Sequence, residues 1–434
     1  MEEVKQQNDM KTSFPKNKIK VVLVENIHPA GVAMLRSEGF TIETLAGAPD
    51  KAKLQKLVKD AHILGIRSKT DITADVLDGA ERLLGVGCFC IGTNQVDVAH
   101  ARRKGLPVFN SPFSNTRSVA ELTVAEVVAL SRRVMAQSGN MHRGIWDKSA
   151  AGAHEVRGRT LGIVGYGHIG SQVSVLAEAF GMRVIYFDIV SKLAMGNARP
   201  VKDLNTLLKE SDVVTLHVPA TQATKNLIGA VQLKRMKPGA FVINNARGSV
   251  VDVAALAEAI RLGHIGGAAL DVFPREPASK DEVFKSELCG LANVILTPHV
   301  GGSTEEAQAA IAEDVAAKFI KYLNVGTTTG AVNVPEVELP EQDEWNAGSG
   351  EDADGGGGKS ARRHRILHFH RNVPGVLSKL HGIVAGLGAN IWAEYLRTMD
   401  DVGYVVLDVD PMDDTQLVDR LRAMPETIRV RVLY

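Results

Sequence analysis

The chain has 434 residues, of which 45% are hydrophobic and 23% charged, the balance of an ordinary globular protein with material for two or three domains. Fifty lysines and arginines cancel fifty aspartates and glutamates, so no global basic field draws nucleic acid or an anionic membrane surface. Three cysteines complete no zinc site, and no run approaches the roughly 18 apolar residues that a membrane span needs.

Residues 1–18 are polar, carry Glu2, Glu3 and Asp9, and read as an extension rather than a signal or transit peptide. From Ile19 to about Asn110, apolar strand runs alternate with amphipathic helices. The strands are Lys20–Glu25, Thr41–Leu45, His62–Ile66, Leu83–Cys88 and Pro107–Asn110. Between them Gly31–Gly39, Lys51–Asp60, Ala74–Ala80 and Val96–Gly105 have helical periodicity. That alternation predicts a parallel sheet wrapped by helices. Cys88 and Cys90 fall in one of the apolar runs and read as buried free thiols, a usage that fits the reducing cytoplasm. A single long helix is expected from Val119 to about Met141.

The stretch Leu161 to Gly170 then reads as a buried strand, a turn and a helix start, with Gly165, Gly167 and Gly170 in G-x-G-x-x-G spacing. Gly165 permits the tight turn, Gly167 lets backbone approach a pyrophosphate, and Gly170 lets the helix pack on its strand. The helix runs to Phe180, and a second strand, Arg183–Phe187, ends on Asp188. Asp188 lies about 18 residues after Gly170, where a carboxylate accepts both adenosine ribose hydroxyls and repels a 2′-phosphate. NAD is therefore expected over NADP.

Alternation resumes with strands Val213–Val218, Phe241–Asn244, Ala268–Asp271 and Val294–Thr297, implying a second doubly wound unit and a ligand cleft between the two. Three consecutive strand ends carry chemistry. Arg247 follows Phe241–Asn244, Glu276 lies in the proline-bounded loop after Asp271, and His299 follows Thr297. Taken singly, each has a dull reading as a salt bridge, a cap or a loop histidine. Together they form a set: Arg247 holds a carboxylate bidentately, His299 exchanges a hydroxyl proton, and Glu276 orients the imidazole.

The helix Glu305 to Leu323 and the tail Ala331–Val334 are expected to return to the first domain. Residues 336–361, acidic and then glycine-rich, read as a flexible linker. The end of the chain has a βαββαβ pattern, with strands Arg365–His370, Asn390–Thr398, Gly403–Asp410 and Thr427–Leu433, and helices Val376–Leu387 and Thr415–Met424. The expected class is thus α/β, two doubly wound parallel-sheet (Rossmann or flavodoxin-like) domains plus an α+β ferredoxin-like domain. The boundaries expected are 19–113 with 303–335 for a discontinuous substrate domain, 114–302 for the NAD domain, and 362–434 for the last.

These motifs, in this order and spacing, resemble the D-isomer-specific 2-hydroxyacid dehydrogenases, in the branch that carries a C-terminal ACT domain. Gly87–Asn94, Asn115–Glu121, His142–Lys148 and Thr427–Tyr434 are specific to that branch, whereas any dinucleotide-binding protein would share the glycine turn. The resemblance implies NAD-dependent oxidation of D-3-phosphoglycerate to 3-phosphohydroxypyruvate, the first step of phosphorylated L-serine biosynthesis. It implies Arg247 as carboxylate anchor, His299 as acid/base and Glu276 as its partner. Gly165, Gly167, His168, Ile169, Gly170, Asp188, Asn245, Ala246, Arg247, Asp271, His299, Val300, Gly301 and Gly302 would line NAD. Arg67 and Lys69 would meet the substrate phosphate, joined by Lys148 of a neighbouring subunit. L-Serine would bind at His370, Asn372 and Asn390 and inhibit. A cytoplasmic homo-oligomer, a tetramer by resemblance, with no nucleic acid, membrane or metal, completes the expectation. The linker 341–359 is longer than the family's usual hinge, which puts coupling to the tail in question. The competing readings are a relative acting on 2-oxoglutarate, hydroxypyruvate or glyoxylate, and a non-catalytic NAD-sensing corepressor.

Overall fold

The computed structural model describes residues 15–277, 281–340 and 363–433. The chain divides into two compact units, Met1–Pro112 with Ala309–Tyr434, and Phe113–Gln308.

The first unit begins with a parallel sheet. Its strands are β1 (Lys20–Leu23), β2 (Thr41–Thr44), β3 (Ile63–Ile66), β4 (Gly85–Cys88) and β5 (Val108–Asn110), in the order β2-β1-β3-β4-β5. β3, β4 and β5 are buried at every position, which is why they read as unbroken apolar runs. The crossovers are α1 (Pro29–Ser37), α2 (Lys51–Val58), α3 (Ala74–Asp78) and α4 (Val98–Arg103). Asp50 and Asp97 cap α2 and α4 by accepting the backbone N–H of Lys53 and His100.

The helix Glu305–Val325 packs Val315, Phe319 and Tyr322 into the core of this sheet. Gly87 makes the approach possible: a Cβ there would lie 2.3 Å from Phe319 Cζ. Residues after the helix also return to the sheet, where Val332 N–H donates to Val108 O at 2.8 Å and Asn333 Oδ1 accepts from Val108 N–H at 2.8 Å. One expectation changes here. Glu336–Pro340, read as the start of the linker, is packed: Val337 and Leu339 are buried, and their N–H groups donate to Thr328 and Thr327 hydroxyls. Two apolar side chains suffice to hold five residues whose composition looked polar. The remainder of the expected linker lies outside the described residues.

In the second unit the expected single helix is two, α5 (Thr116–Ser131) and α6 (Val134–His142). Arg133 between them is left-handed at φ 55°, a conformation that cannot continue an α-helical ladder. α5 buries eight residues and α6 none. A seven-stranded parallel sheet follows, built from β6 (Thr160–Val164), β7 (Arg183–Phe187), β8 (Arg199–Pro200), β9 (Val213–Leu216), β10 (Ala240–Asn244), β11 (Ile265–Leu270) and β12 (Val294–Leu296). Its order is β12-β11-β10-β9-β6-β7-β8, so the winding reverses between β6 and β9. Its helices are α7 (His168–Ala179), α8 (Leu204–Glu210), α9 (Ala230–Arg235) and α10 (Val253–Arg261), and the helix Glu305–Val325 already described on the first sheet is α11.

The C-terminal βαββαβ segment, within the first unit, is an antiparallel sheet of order β14-β15-β13-β16. It comprises β13 (His364–Arg371), α12 (Val376–Ala385), β14 (Ile391–Met399), β15 (Val402–Val409), α13 (Asp414–Arg422) and β16 (Thr427–Leu433). Leu367, Phe369, Val402 and Tyr404 on one face share a core with Phe319 and Tyr322 of α11. Arg365, 1% exposed, forms a bidentate pair with Asp408 at 2.7 and 2.8 Å and also donates to the carbonyls of Val325 and Pro340. Tyr404 Oη donates to Gly326 O at 2.7 Å. The segment is therefore fixed by its sheet face, whatever the length of the chain before it.

Candidate active site

At the carboxyl end of β6 the chain turns through Gly165, at φ 93°, into α7, with Gly167 as the N-cap. A Cβ on Gly165 would meet His217 O at 2.4 Å, and one on Gly170 would meet Gly165 O at 2.2 Å, so both positions exclude side chains. Gly167 has nothing within 4 Å of its Cβ position and leaves space over the helix's free N–H groups. His168 and Ile169 occupy the first turn, with the His168 ring 3.9 Å from that of Phe113. Asp188 follows β7. Its Oδ2 accepts Tyr166 N–H at 2.8 Å and its Oδ1 accepts Val190 N–H at 2.9 Å, which leaves further lone pairs for hydroxyls. These residues fit a dinucleotide at the winding reversal. Asp188→Asn is expected to narrow the preference for NADH over NADPH by about tenfold, because the charge goes and one acceptor stays. An unchanged ratio of kcat/KM for the two cofactors would place ribose recognition elsewhere.

His299 and Glu276 meet after β12 and β11. Nδ1 of His299 is 2.9 Å from Glu276 Oε2, and the other carboxylate oxygen accepts Phe273 N–H at 3.2 Å. The pair is partly open, with 54% and 38% of the side chains exposed, so Nε2 is left for a ligand. His299 has φ 55°, in the left-handed region. The turn is held by Asp271, 2% exposed, whose carboxylate accepts Thr297 Oγ1–H at 2.6 Å, Val300 N–H at 2.8 Å and Gly301 N–H at 2.7 Å. Gly302 leaves no room beside Asn115 Nδ2, 2.2 Å from its Cβ position. With its acceptors so engaged, Asp271 acts on the site by fixing the 297–301 turn.

Arg247 follows β10 in extended conformation and donates from Nη1 to Ala246 O at 2.7 Å. Asn244, fully buried, accepts Ala246 N–H at 3.2 Å and donates to Arg247 O at 3.0 Å, clamping the loop that presents the guanidinium. Asn245 donates from Nδ2 to Thr123 Oγ1 at 3.0 Å and to Glu126 Oε2 at 2.7 Å. Glu126 is 3% exposed, and burial raises its carboxyl to about 8, so it is protonated at neutral pH. Asn244, Thr123 and Glu126 were not among the residues expected from the sequence. The signal for Glu126 was its position three residues after Thr123 and four before Leu130, on the buried face of α5.

In the first unit, Arg67 and Lys69 lie on the loop after β3. Their backbone N–H groups, with that of Thr70, all donate to the carboxylate of Glu25 at 3.1, 3.0 and 2.9 Å. Glu25 is 7% exposed and itself at φ 65°. The carboxylate fixes the loop through its backbone, and Gln95 Nε2 adds a bond to Arg67 O at 2.7 Å. Lys148 is exposed on the loop after α6. In the C-terminal segment, His370 is 3% exposed and its Nε2 is buried without a hydrogen-bond partner. Asn372 Nδ2 donates to Asp400 O at 3.1 Å, and Asn390 N–H donates to Asp410 Oδ2 at 3.0 Å. Gly375, at φ 89°, caps α12. Among the described residues no cluster of three or more metal-ligating side chains occurs, and no helix is long and apolar enough to cross a membrane.

Residues 124–301 match the family model for the D-isomer specific 2-hydroxyacid dehydrogenase NAD binding domain, and residues 366–429 match an AHAS small subunit-like ACT domain. A solved protein of Thermus thermophilus is 34% identical, with a TM-score of 0.64 over 70% of this chain and 97% of that one. The Aquifex aeolicus D-lactate dehydrogenase, solved with NAD and lactic acid, is 27% identical with a TM-score of 0.61 over 70% and 95%. The fold and the NAD-binding half thus define an NAD-dependent 2-hydroxyacid oxidoreductase. At full length the likeness is narrower. The D-3-phosphoglycerate dehydrogenase of Escherichia coli K12 is 49% identical over 98% of this chain and 100% of its own, and that of Haemophilus influenzae 49% over 98% and 99%. The chain belongs to the D-3-phosphoglycerate dehydrogenase family.

Proposed function

We propose that this chain oxidises D-3-phosphoglycerate to 3-phosphohydroxypyruvate with NAD, in the cytoplasm, as the first step of phosphorylated L-serine synthesis. The observation that carries this reading is the His299–Glu276 pair at the strand ends that also present Arg247. Nε2 of His299 takes the proton of the C2 hydroxyl, while Glu276 on Nδ1 fixes the ring and favours the cation that forms. Arg247 holds the C1 carboxylate and so sets which face of C2 is presented. Bound NAD supplies the acceptor for the C2 hydride. The α7 N-terminus, Gly167 and Asp188 hold that cofactor, and Asn245, Ala246 and Val300 to Gly302 line it.

Arg67 and Lys69 receive the phosphate, with Lys148 of a neighbouring subunit adding a third cation. NADH oxidation with phosphohydroxypyruvate, hydroxypyruvate and 2-oxoglutarate side by side tests the substrate. Phosphohydroxypyruvate should be preferred. Arg67→Ala with Lys69→Ala should lower kcat/KM for it by about 10- to 100-fold, as two charged hydrogen bonds are lost. The loss for hydroxypyruvate should stay within about threefold. Glu25 holds the loop by its backbone, so the variant keeps the loop's shape. Equal losses for both acids would refute phosphate recognition there.

L-Serine is the proposed inhibitor, its carboxylate at the α12 N-terminus and its polar groups at His370, Asn372 and Asn390. The unpartnered His370 Nε2 supports a polar ligand. Serine at millimolar concentration should slow the intact chain, and Asn372→Ala should raise the concentration needed by about tenfold. Insensitivity together with an absence of calorimetric binding would leave only an assembly role. A homo-oligomer is supported by Met135, Met141 and Trp146, 52–73% exposed on α6 and the following loop, and a tetramer is what the family resemblance implies. Sedimentation of the intact chain as a monomer would remove that reading.

A further inference from the structure

The chain is neutral overall, yet one cleft in the first unit concentrates positive charge. It encloses about 700 Å³ between β16, the end of α13 and the loops leading into β3 and β4. Arg82, Arg422, Arg429 and Arg431 line it with His62, against a single lining carboxylate, Glu81. Arg429 and Arg431 alternate on β16 and so share one face of an edge strand.

The two β16 arginines are built in rather than splayed on the surface. Nη1 of Arg429 donates to Leu83 O, and Nη2 of Arg431 donates to Leu323 O at 3.3 Å. The Arg431 guanidinium lies 5.4 Å from the centre of the Tyr322 ring, while its Nη1 is buried with no partner. Burial lowers Arg429, Tyr322 opposes, and the proximity of Arg431 adds to the lowering. His62 is lowered by burial and then by Arg82 and Arg431, with Asp60 opposing, so both arginines lie close to its ring. Among the described residues, none of the four arginines forms a salt bridge with a carboxylate. Such a cluster is repulsive as it stands.

We propose that this cleft is a binding site for a small phosphate-class polyanion, distinct from the substrate residues. Guanidinium forks match phosphate oxygens bidentately, and the volume lies in the range of roughly 300–1,000 Å³ typical of small-molecule sites. It accommodates a ligand larger than one phosphate. Because β16 belongs to the C-terminal segment and Arg82 to the loop leading into β4 of the N-terminal sheet, the anion ties the two and stabilises the unit.

The test is calorimetric titration of the full chain with pyrophosphate, and separately with inorganic phosphate, at ionic strength matched with sodium chloride. Arg82→Ser with Arg422→Ser removes two exposed arginines and should weaken pyrophosphate binding by about tenfold or more, with the ligand-free melting temperature not lowered. Glu81→Gln should tighten binding by a few fold, roughly as expected for one exposed charge. Arg67→Ser with Lys69→Ser should leave this binding intact, which separates it from any phosphate held by the substrate loop. Pyrophosphate binding much tighter than phosphate assigns the site to a larger phosphorylated ligand, and equal binding assigns it to phosphate itself. No heat beyond the chloride control overturns the proposal. So does binding that survives Arg82→Ser with Arg422→Ser and disappears with the Arg67 and Lys69 variant.

Discussion

Replacing His299 with asparagine is expected to reduce turnover by about 10²- to 10⁴-fold while NADH affinity is kept, the usual worth of a positioned general acid/base. Asparagine is the informative choice because His299 sits at φ 55°, and asparagine adopts left-handed backbone more readily than most residues. The turn should therefore survive, held from below by the Asp271 carboxylate on the N–H groups of Val300 and Gly301. The amide cannot take a proton, so the C2 hydroxyl loses its acceptor. Glu276→Gln should cost less, since an amide oxygen still accepts from Nδ1 and only the charge that favours the imidazolium is lost. The measurement is steady-state kcat with NADH binding followed by fluorescence. Turnover within a few fold of the parent, or NADH affinity lost in parallel, would assign His299 to the turn rather than to the proton.

The two parallel sheets were legible because buried parallel strands are written as apolar runs and their crossovers with helical period. β3, β4 and β5, buried throughout, are of that kind. Arg247, Glu276 and His299 stand out in the sequence because each follows an apolar strand run, and the fold brings Glu276 to within 2.9 Å of His299. What was hidden depended on single backbone conformations or on contacts distant in sequence. Arg133 carries no residue signal for its left-handed turn, so one helix was expected where there are two. Glu25 looked like the end of a strand, and only the fold brings its carboxylate under the backbone of residues 67–70. The arginines of the β16 cleft were equally invisible. Arg82 and Arg429 are hundreds of positions apart, and a neutral total conceals a local excess.

Glu126→Gln is expected to remove one contribution to the pH dependence of stability, a loss that the Glu126 carboxyl imposes as pH rises from about 5 to 8. Burial raises the Glu126 carboxyl from 4.5 to about 8, the nearby Asp271 adding to it and the Asn245 hydrogen bond opposing it. Below pH 4.5 both folded and unfolded chains hold the proton, and the group does not affect stability. Between 4.5 and 8 only the unfolded chain releases it, so stability drops by about 1.4 kcal/mol per pH unit, approaching roughly 5 kcal/mol at most. Buried histidines act in the opposite direction. His217 and His368, both pushed down from 6.5 to about 3 by burial, contribute stability that is present above 6.5 and lost as pH falls toward 3. Those contributions are common to parent and variant, and they cancel in the difference between the two. Glutamine keeps the shape and an oxygen for Asn245 Nδ2, so kcat and the KM for NADH should hardly change. Thermal melts of both proteins at pH 5 and pH 8 give the result: the two should differ little at pH 5, and the glutamine variant should melt several degrees higher at pH 8. Equal melting temperatures at both values would mean that Glu126 ionises in the folded chain, with Asn245 and the Arg247 loop then carrying a buried negative charge.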